Sequence, residues 1–379
     1  DHRAQMDFKN DKIQELAEDV FARETEWKAL LQPAMQGRQA NGFAFGRMLS
    51  EQASNTAERE KLLDVVIDAL AEISSEERDA SVVAGIASAM PEGEKDAIKN
   101  RLRQRDDLIP YYIQILRNVE MDEGDLQAIL GYAHSGRIHP DTLTQLRWSD
   151  IPEGVDLSSV TDFAEELSDL PEFGPIAFEL LGAWGGAHTN DDFPEEVRKV
   201  LLEMFADEDL LASFLRREKR DFHLWSTIAE RLVPYAEHQH LVQFVESVLD
   251  QFRVEDPYHS VPHEVTRLLG AVLESQPEVA WPPIGRAILN DDLVSFRLSI
   301  SAEMSTTFGD EDGGGHLLTS SVPNDILKAW MRNEGPEAVA VVARIARAFE
   351  PGNPPTWDPL IMWIIDEFGD QEEVLRELS

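Results

Sequence analysis

The chain contains no cysteine and no long uncharged apolar run, and both absences limit what it can do. Its 379 residues include 0 Cys, which excludes disulfide bonds and thiolate chemistry. No stretch of about eighteen consecutive apolar residues occurs, although a transmembrane helix needs roughly that length. We therefore predict a cytoplasmic protein without a membrane-spanning segment.

Sequence motifs of common enzyme classes are missing as well. The chain has no G-x-x-x-x-G-K-[ST] phosphate loop, no G-x-S-x-G nucleophile turn and no H-E-x-x-H zinc motif. It also has no G-x-G-x-x-G sequence following a strand pattern. We therefore expect a protein that is not an enzyme, with no catalytic residue and no cofactor.

Basic residues are scarce relative to acidic ones. The chain has 34 Lys and Arg against 72 Asp and Glu, and its formal net charge is −38. Such a field repels phosphate backbones and anionic lipids, so we expect no direct nucleic-acid partner and no membrane partner. It favours a basic protein partner, although a solvated surface or a salt-adapted source would give the same composition. A nucleic-acid mimic that binds a basic protein is an alternative.

Three stretches share one pattern of helix boundaries. Each begins with proline and an acid and continues for about one helix. Each then reaches a pair of acids, or Asp-Glu-Asp, followed by an apolar residue. Proline suits the first turn of a helix because its missing N–H has no partner there. An aspartate at the far end suits the N-cap of the next helix. The stretches are Pro91 to Ile109, Phe193 to Leu211 and Gln276 to Val294, with predicted N-caps Asp107, Asp209 and Asp292.

This pattern predicts an all-α protein, specifically an α-solenoid of HEAT-like antiparallel helix pairs. Hardly any alternating strand pattern is present, and VPHEVTRLL at 261 is echoed by VPNDILKAW at 322. Small residues in GFAFGRML, at 42–49, predict a close contact between helices. We expect residues 1–10 to be disordered or an artificial addition. Residues 11–150 would form N-terminal repeats, and residues 151–379 would form C-terminal repeats continuous with them.

The candidate binding residues fall into three groups, each with a simpler structural alternative. A loop histidine and two aspartates provide donors for a divalent metal, although an aspartate there also suits a helix N-cap. An acidic run before three glycines suits a calcium ion or a flexible contact loop. Two tryptophans near prolines or turns are candidate interface anchors. The groups are His188, Asp191 and Asp192; Asp310, Glu311 and Asp312; and Trp148 with Trp357.

Several apolar helix runs resemble the helical C-terminal regions of large bacterial multidomain proteins. The runs include GFAFGRMLSEQ, PIAFELLGAWGG, QPEVAWPPIGRAIL and DPLIMWIIDEFGDQEEVLREL. Those proteins often carry a signal-transducing NTPase of the STAND type, and several act in defence against phage. The resemblance implies a sensor or scaffold whose partner is another protein or another domain of the same polypeptide. It also implies a piece of a longer protein. A metal-dependent enzyme with a site between helices, built on His188, Asp191 and Asp192, is the other alternative.

Overall fold

The computed structural model describes most of the chain, and almost all of its regular structure is helical. The described residues are 2–37, 39–149, 155–187, 192–216, 222–253, 263–294, 298, 321–346, 349–350, 356–372, 374 and 376. Two antiparallel strands of two residues each, β1 (Phe349–Glu350) and β2 (Thr356–Trp357), make up the sheet in this part of the chain. The chain divides into two compact units, Asp1–Gly185 and Gly186–Ser379.

Unit 1 contains ten α-helices and four 3-10 helices in the described residues, and the longest of the four is the 3-10 helix Pro140–Trp148. Helices two positions apart along the chain pack against each other, in the series α1–α3–α5–α7 and α2–α4–α6. This alternation is what stacked helix pairs produce. The helices are α1 (His2–Ala22), α2 (Trp27–Leu31), α3 (Gly42–Gln52), α4 (Thr56–Glu72), α5 (Ser81–Ala89), α6 (Glu92–Arg103), α7 (Ile109–Ile115), α8 (Glu123–His134), α9 (Leu157–Ser168) and α10 (Gly174–Gly182).

Unit 2 follows the same rule. Helices α11, α13 and α15 pack in one series, and helices α12, α14 and α16 pack in the other. Each unit is therefore an α-solenoid of antiparallel helix pairs, and the predicted fold class is confirmed. The helices are α11 (Glu195–Phe205), α12 (Glu208–Arg216), α13 (Phe222–Leu232), α14 (His238–Phe252), α15 (His263–Ser275), α16 (Pro277–Asn290), α17 (Asn324–Glu334), α18 (Pro336–Ile345) and α19 (Pro359–Phe368).

Ion pairs connect equivalent helices of successive pairs. Arg101 Nε on α6 lies 2.6 Å from Asp64 Oδ1 on α4, and the two residues are 37 positions apart. Arg105 and Asp68 repeat the same step of 37 positions. In unit 2, Arg267 on α15 reaches Glu230 on α13 at 2.7 Å. Ion pairs between second-neighbour helices at similar separations are typical of stacked helical repeats.

Two glycines allow α3 and α5 to pack backbone against backbone. A Cβ atom added at Gly46 would lie 2.1 Å from the Val82 carbonyl oxygen. One added at Gly85 would lie equally close, 2.1 Å, to the Phe43 carbonyl oxygen. No side chain fits at either position, so the predicted close contact of GFAFGRML is confirmed.

The capping aspartates precede the predicted ones. Asp207 Oδ1 accepts hydrogen bonds at 2.8 and 3.0 Å from the amides two and three residues ahead. Asp291 Oδ1 does the same at 3.0 and 3.1 Å. Asp107 instead accepts a 2.8 Å bond from Arg78. Where several acids adjoin, turn geometry selects the cap, and the predictions were wrong for Asp107, Asp209 and Asp292.

The structure gives the start of the first helix and the division of the chain into units. Helix α1 begins at His2, so residues 2–10 are helical in the structure. The division between the two compact units falls after Gly185, and within unit 1 α9 packs on α8 and α10 packs on the 3-10 helix. The predicted domain bounds at residues 10 and 150 stay predictions. The continuity of the two blocks stays a prediction. Within the described ranges, no helix is long and apolar enough to cross a membrane.

Candidate interaction site around Trp148

Trp148 is a large exposed side chain at the end of the 3-10 helix. Its exposed fraction is 61%, whereas the preceding residues Leu146 and Arg147 are 0% and 6% exposed. Trp184, Trp225 and Trp281 are all buried. The fold therefore buries other tryptophans in its core, whereas Trp148 is in contact with solvent.

A buried ion pair holds the backbone beneath Trp148. Arg147 Nη1 lies 2.9 Å from Glu179 Oε2 on α10, and the two side chains are 8% and 2% exposed. Arg147 Nε also donates to the Thr144 carbonyl oxygen at 2.9 Å. Hydrogen bonds to both sides of the guanidinium offset part of the cost of removing the charges from water. The pair therefore attaches the 3-10 helix to α10.

Trp184 fixes the other side of the same segment. Its Nε1 lies 3.1 Å from both the Leu146 carbonyl oxygen and Ser149 Oγ. The Trp184 ring packs against Phe163 of α9, with 5.9 Å between ring centroids. Residues 146–149 are thus held from two directions. An indole on such a support loses little conformational entropy when it is buried by a partner.

A second polar cluster in unit 1 resembles a catalytic site but is closed. Asp125 is fully buried and accepts a 2.5 Å hydrogen bond from the Tyr112 hydroxyl and a 2.6 Å bond from Lys99 Nζ. Lys99 Nζ also donates to the Glu120 carbonyl oxygen at 2.5 Å. Burial, together with the carboxylate of Asp125, raises the pKa of Tyr112 well above its ordinary value.

The groups of this cluster bind one another. Lys99 lies on α6, Tyr112 on α7 and Asp125 on α8, so the cluster connects three consecutive helices. Asp125 also completes a capping box with Asp122 at the start of α8. We assign the cluster a structural role. Sequence reasoning missed it, although the Asp122 to Asp125 spacing was a detectable signal.

The other predicted site residues give a mixed result. Asp192 is exposed and lies just before α11, and Trp357 is 49% exposed in β2. His188 and Asp191, like the acidic run Asp310, Glu311 and Asp312, lie outside the described residues. Among the residues that are described, no group of three His, Asp or Glu side chains is placed to hold a metal ion.

Comparison with known proteins gives no family for this chain. No protein-family profile and no curated protein sequence matches the chain. Among solved structures, a Puf4 double mutant bound to a Cox17 RNA 3′ UTR recognition sequence is similar, with a TM-score of 0.38. The two share 12% sequence identity, over 87% of this chain and 97% of that chain.

Proposed function

We propose that the protein is a non-catalytic interaction module in which Trp148 is an anchor for a protein partner. The observation that carries this proposal is an exposed indole on a segment held by Arg147–Glu179 and by Trp184. Tryptophan is among the residues that contribute most to binding when a partner buries them. The module acts as a sensor or scaffold in a larger bacterial protein, and anti-phage defence is the setting that the sequence resemblance favours.

The formal charge of −38 sets the chemistry of the partner. Opposite charge accelerates encounter and makes it sensitive to salt, so we propose a basic protein or a basic domain of the same polypeptide. Nucleic acid is disfavoured because the same field repels phosphates.

Affinity capture from bacterial lysates, including phage-infected cells, tests this proposal. We expect Trp148→Ala to lose basic proteins that the unchanged protein retains, while Tyr235→Ala, at an exposed ring in unit 2, retains them. Circular dichroism spectra of the variants would show that both are folded. Identical captured proteins for all three would contradict the proposal, and so would a partner whose binding is unchanged at high salt.

A gel-shift assay tests the exclusion of nucleic acid. We expect labelled single-stranded RNA and duplex DNA to migrate unshifted with the protein at low salt, where electrostatic attraction is strongest. A shift that Trp148→Ala abolishes would overturn the choice of a protein partner. It would leave Trp148 as the anchor of a nucleic-acid site instead.

A further inference from the structure

Exposed apolar side chains concentrate at the C-terminal end of unit 2. Eight large apolar side chains are exposed among the described residues, and three of them lie within residues 357–365. These are Trp357 at 49%, Met362 at 40% and Ile365 at 36%. Single exposed apolar residues are ordinary on protein surfaces, but grouped ones mark contact sites.

Helix α19 presents two of these side chains on one face. Met362 and Ile365 are three positions apart, which places them beside each other on a helix surface. The adjoining face is the packed one, where Leu360, Ile361 and Ile364 are buried. Trp357 lies two residues before the start of this helix, and Asp358 caps the helix by accepting a 2.7 Å hydrogen bond from the Leu360 amide.

Charge differs between the two sides of α19. On the side towards α17, Arg332 pairs with Glu367 at 3.1 Å, and Lys328 and Arg332 lie over the Trp363 ring at 5.2 and 5.1 Å. Asp366 and Asp370 are exposed and make no ion pair with any residue that the structure describes. We use the name α19 outer face for Met362, Ile365, Asp366 and Asp370.

The end of the helix adds negative potential to this face. The last turn of α19 contains no basic residue, and its terminal carbonyl groups form the negative end of the helix dipole. Asp366 therefore lies where a carboxylate is locally unfavourable and a cation is favourable. A partner that brings Lys or Arg next to the apolar pair would remove this electrostatic conflict.

We propose that the α19 outer face binds an amphipathic basic helix from another protein, with an apolar stripe flanked by Lys or Arg. The apolar stripe would cover Met362 and Ile365, and the basic residues would approach Asp366 and Asp370. A second copy of this chain fits poorly, because it would bring the same carboxylates face to face. An anionic membrane surface is repelled for the same reason. Trp148 belongs to unit 1 and α19 to unit 2, and the proposal uses none of the residues on which the function proposed above depends.

A labelled synthetic helix of Leu and Lys, about 18 residues or five turns long, is a suitable probe. Fluorescence anisotropy would measure its binding to the full chain. A peptide with Glu in place of every Lys is the control for charge. We expect the Lys peptide to bind and the Glu peptide not to bind. We also expect the affinity of the Lys peptide to fall in about 1 M salt, where the Debye length is about 3 Å.

Variants separate this face from general attraction to an acidic chain. Met362→Ser with Ile365→Ser should weaken binding of the Lys peptide more than about tenfold, because two apolar side chains lose their burial. Phe43→Ser, at an exposed ring in unit 1, should leave it unchanged. Equal affinity for the double variant and the unchanged protein would overturn the proposal, as would tight binding of the Glu peptide.

Asp366→Lys distinguishes a binding role from a structural one. A cation in the last turn suits the helix dipole, so the melting temperature of this variant should stay the same or rise. Its affinity for the Lys peptide should nevertheless fall at least severalfold. A lowered melting temperature with unchanged affinity would show that Asp366 serves stability instead. Sedimentation should give the same mass for the unchanged protein and the Met362→Ser, Ile365→Ser variant, and a difference would assign the face to self-association.

Discussion

At the scale of residues, two buried carboxylates in unit 1, those of Asp125 and Glu179, are each paired with a buried cation. Asp125 accepts hydrogen bonds from Lys99 and Tyr112, and Glu179 accepts one from Arg147. A charge removed from water is tolerated when its partners satisfy it, and it becomes costly when one partner is removed. The contribution of these charged side chains to the stability of the fold therefore depends on the presence of both members of each pair.

Glu179→Leu should lower the free energy of unfolding by about 3 kcal/mol, because it leaves Arg147 buried without its carboxylate. Arg147→Met combined with Glu179→Leu should recover much of the loss, since both charges are then gone. Urea titration monitored by circular dichroism measures both. If the double variant were as unstable as the single one, the two residues would not act as a pair.

The pH dependence of one ion pair follows from its pKa shift. Arg59 donates to Glu94 at 2.6 and 2.8 Å and, with Thr56, lowers the pKa of Glu94 from 4.5 to about 2. A lowered pKa in the folded state contributes stability above pH 4.5, and this contribution is lost as pH falls from 4.5 towards 2. Glu94→Gln should therefore destabilise the protein at pH 7 and have progressively less effect below pH 4.5. Unfolding free energies measured at pH 7, 5 and 3 test this, and a constant difference would contradict it.

At the scale of elements, the contact between α3 and α5 depends on the absence of side chains. Gly85→Ala should destabilise the protein by about 2 kcal/mol or more, because its Cβ would lie 2.1 Å from the Phe43 carbonyl oxygen. Gly131→Ala in α8 is the matched control, since nothing lies within 4 Å of a Cβ at that position. That change should stabilise by up to about 1 kcal/mol through helix propensity. The urea midpoints of both variants test this prediction. Equal midpoints would mean that α3 and α5 move apart with little loss of unfolding free energy.

The extent of each helix depends partly on its local sequence and partly on its packing against neighbouring helices. Helices α6 and α11 begin directly after Pro91 and Pro194, as the boundary pattern predicts. Helix α16 begins at Pro277 and continues through Pro282 and Pro283. Prolines inside a helix lose backbone hydrogen bonds. The buried contact of Trp281 with Trp330 of α17, at 5.3 Å between ring centroids, packs this part of α16 against its neighbour.

At the scale of the whole molecule, the dominant electrostatic property is the charge of −38. Like charges spread over the chain repel one another and oppose the compact state. Exposed ion pairs contribute only about 0–1 kcal/mol each, so their loss in salt is small. Raising NaCl from about 0.01 M to about 1 M shortens the Debye length from about 30 Å to about 3 Å and should raise the melting temperature. Thermal unfolding followed by circular dichroism checks this. A falling midpoint would show that the ion pairs outweigh the net repulsion.

The sequence by itself determined the class of fold and many helix starts in this protein. Helix periodicity, proline position and the absence of strand alternation are local properties, so the all-α solenoid and the helices after Pro91 and Pro194 could be predicted. Composition also indicated an acidic surface. Trp148 and Trp357 are exposed in the structure, and their role in binding stays a prediction.

The tertiary structure decided which residues meet. The N-caps are Asp207 and Asp291 instead of the predicted Asp209 and Asp292, and Asp107 accepts a hydrogen bond from Arg78. Packing between helices sets the turn geometry on which these bonds depend. Arg147 and Glu179 are 32 positions apart, and nothing in the local pattern of either residue indicates the other. The exposed apolar face of α19 likewise could be identified only from the structure, in which Met362 and Ile365 are exposed and their equally apolar neighbours are buried. Apolar periodicity identifies a helix, but only its neighbours determine which of its apolar residues remain in contact with water.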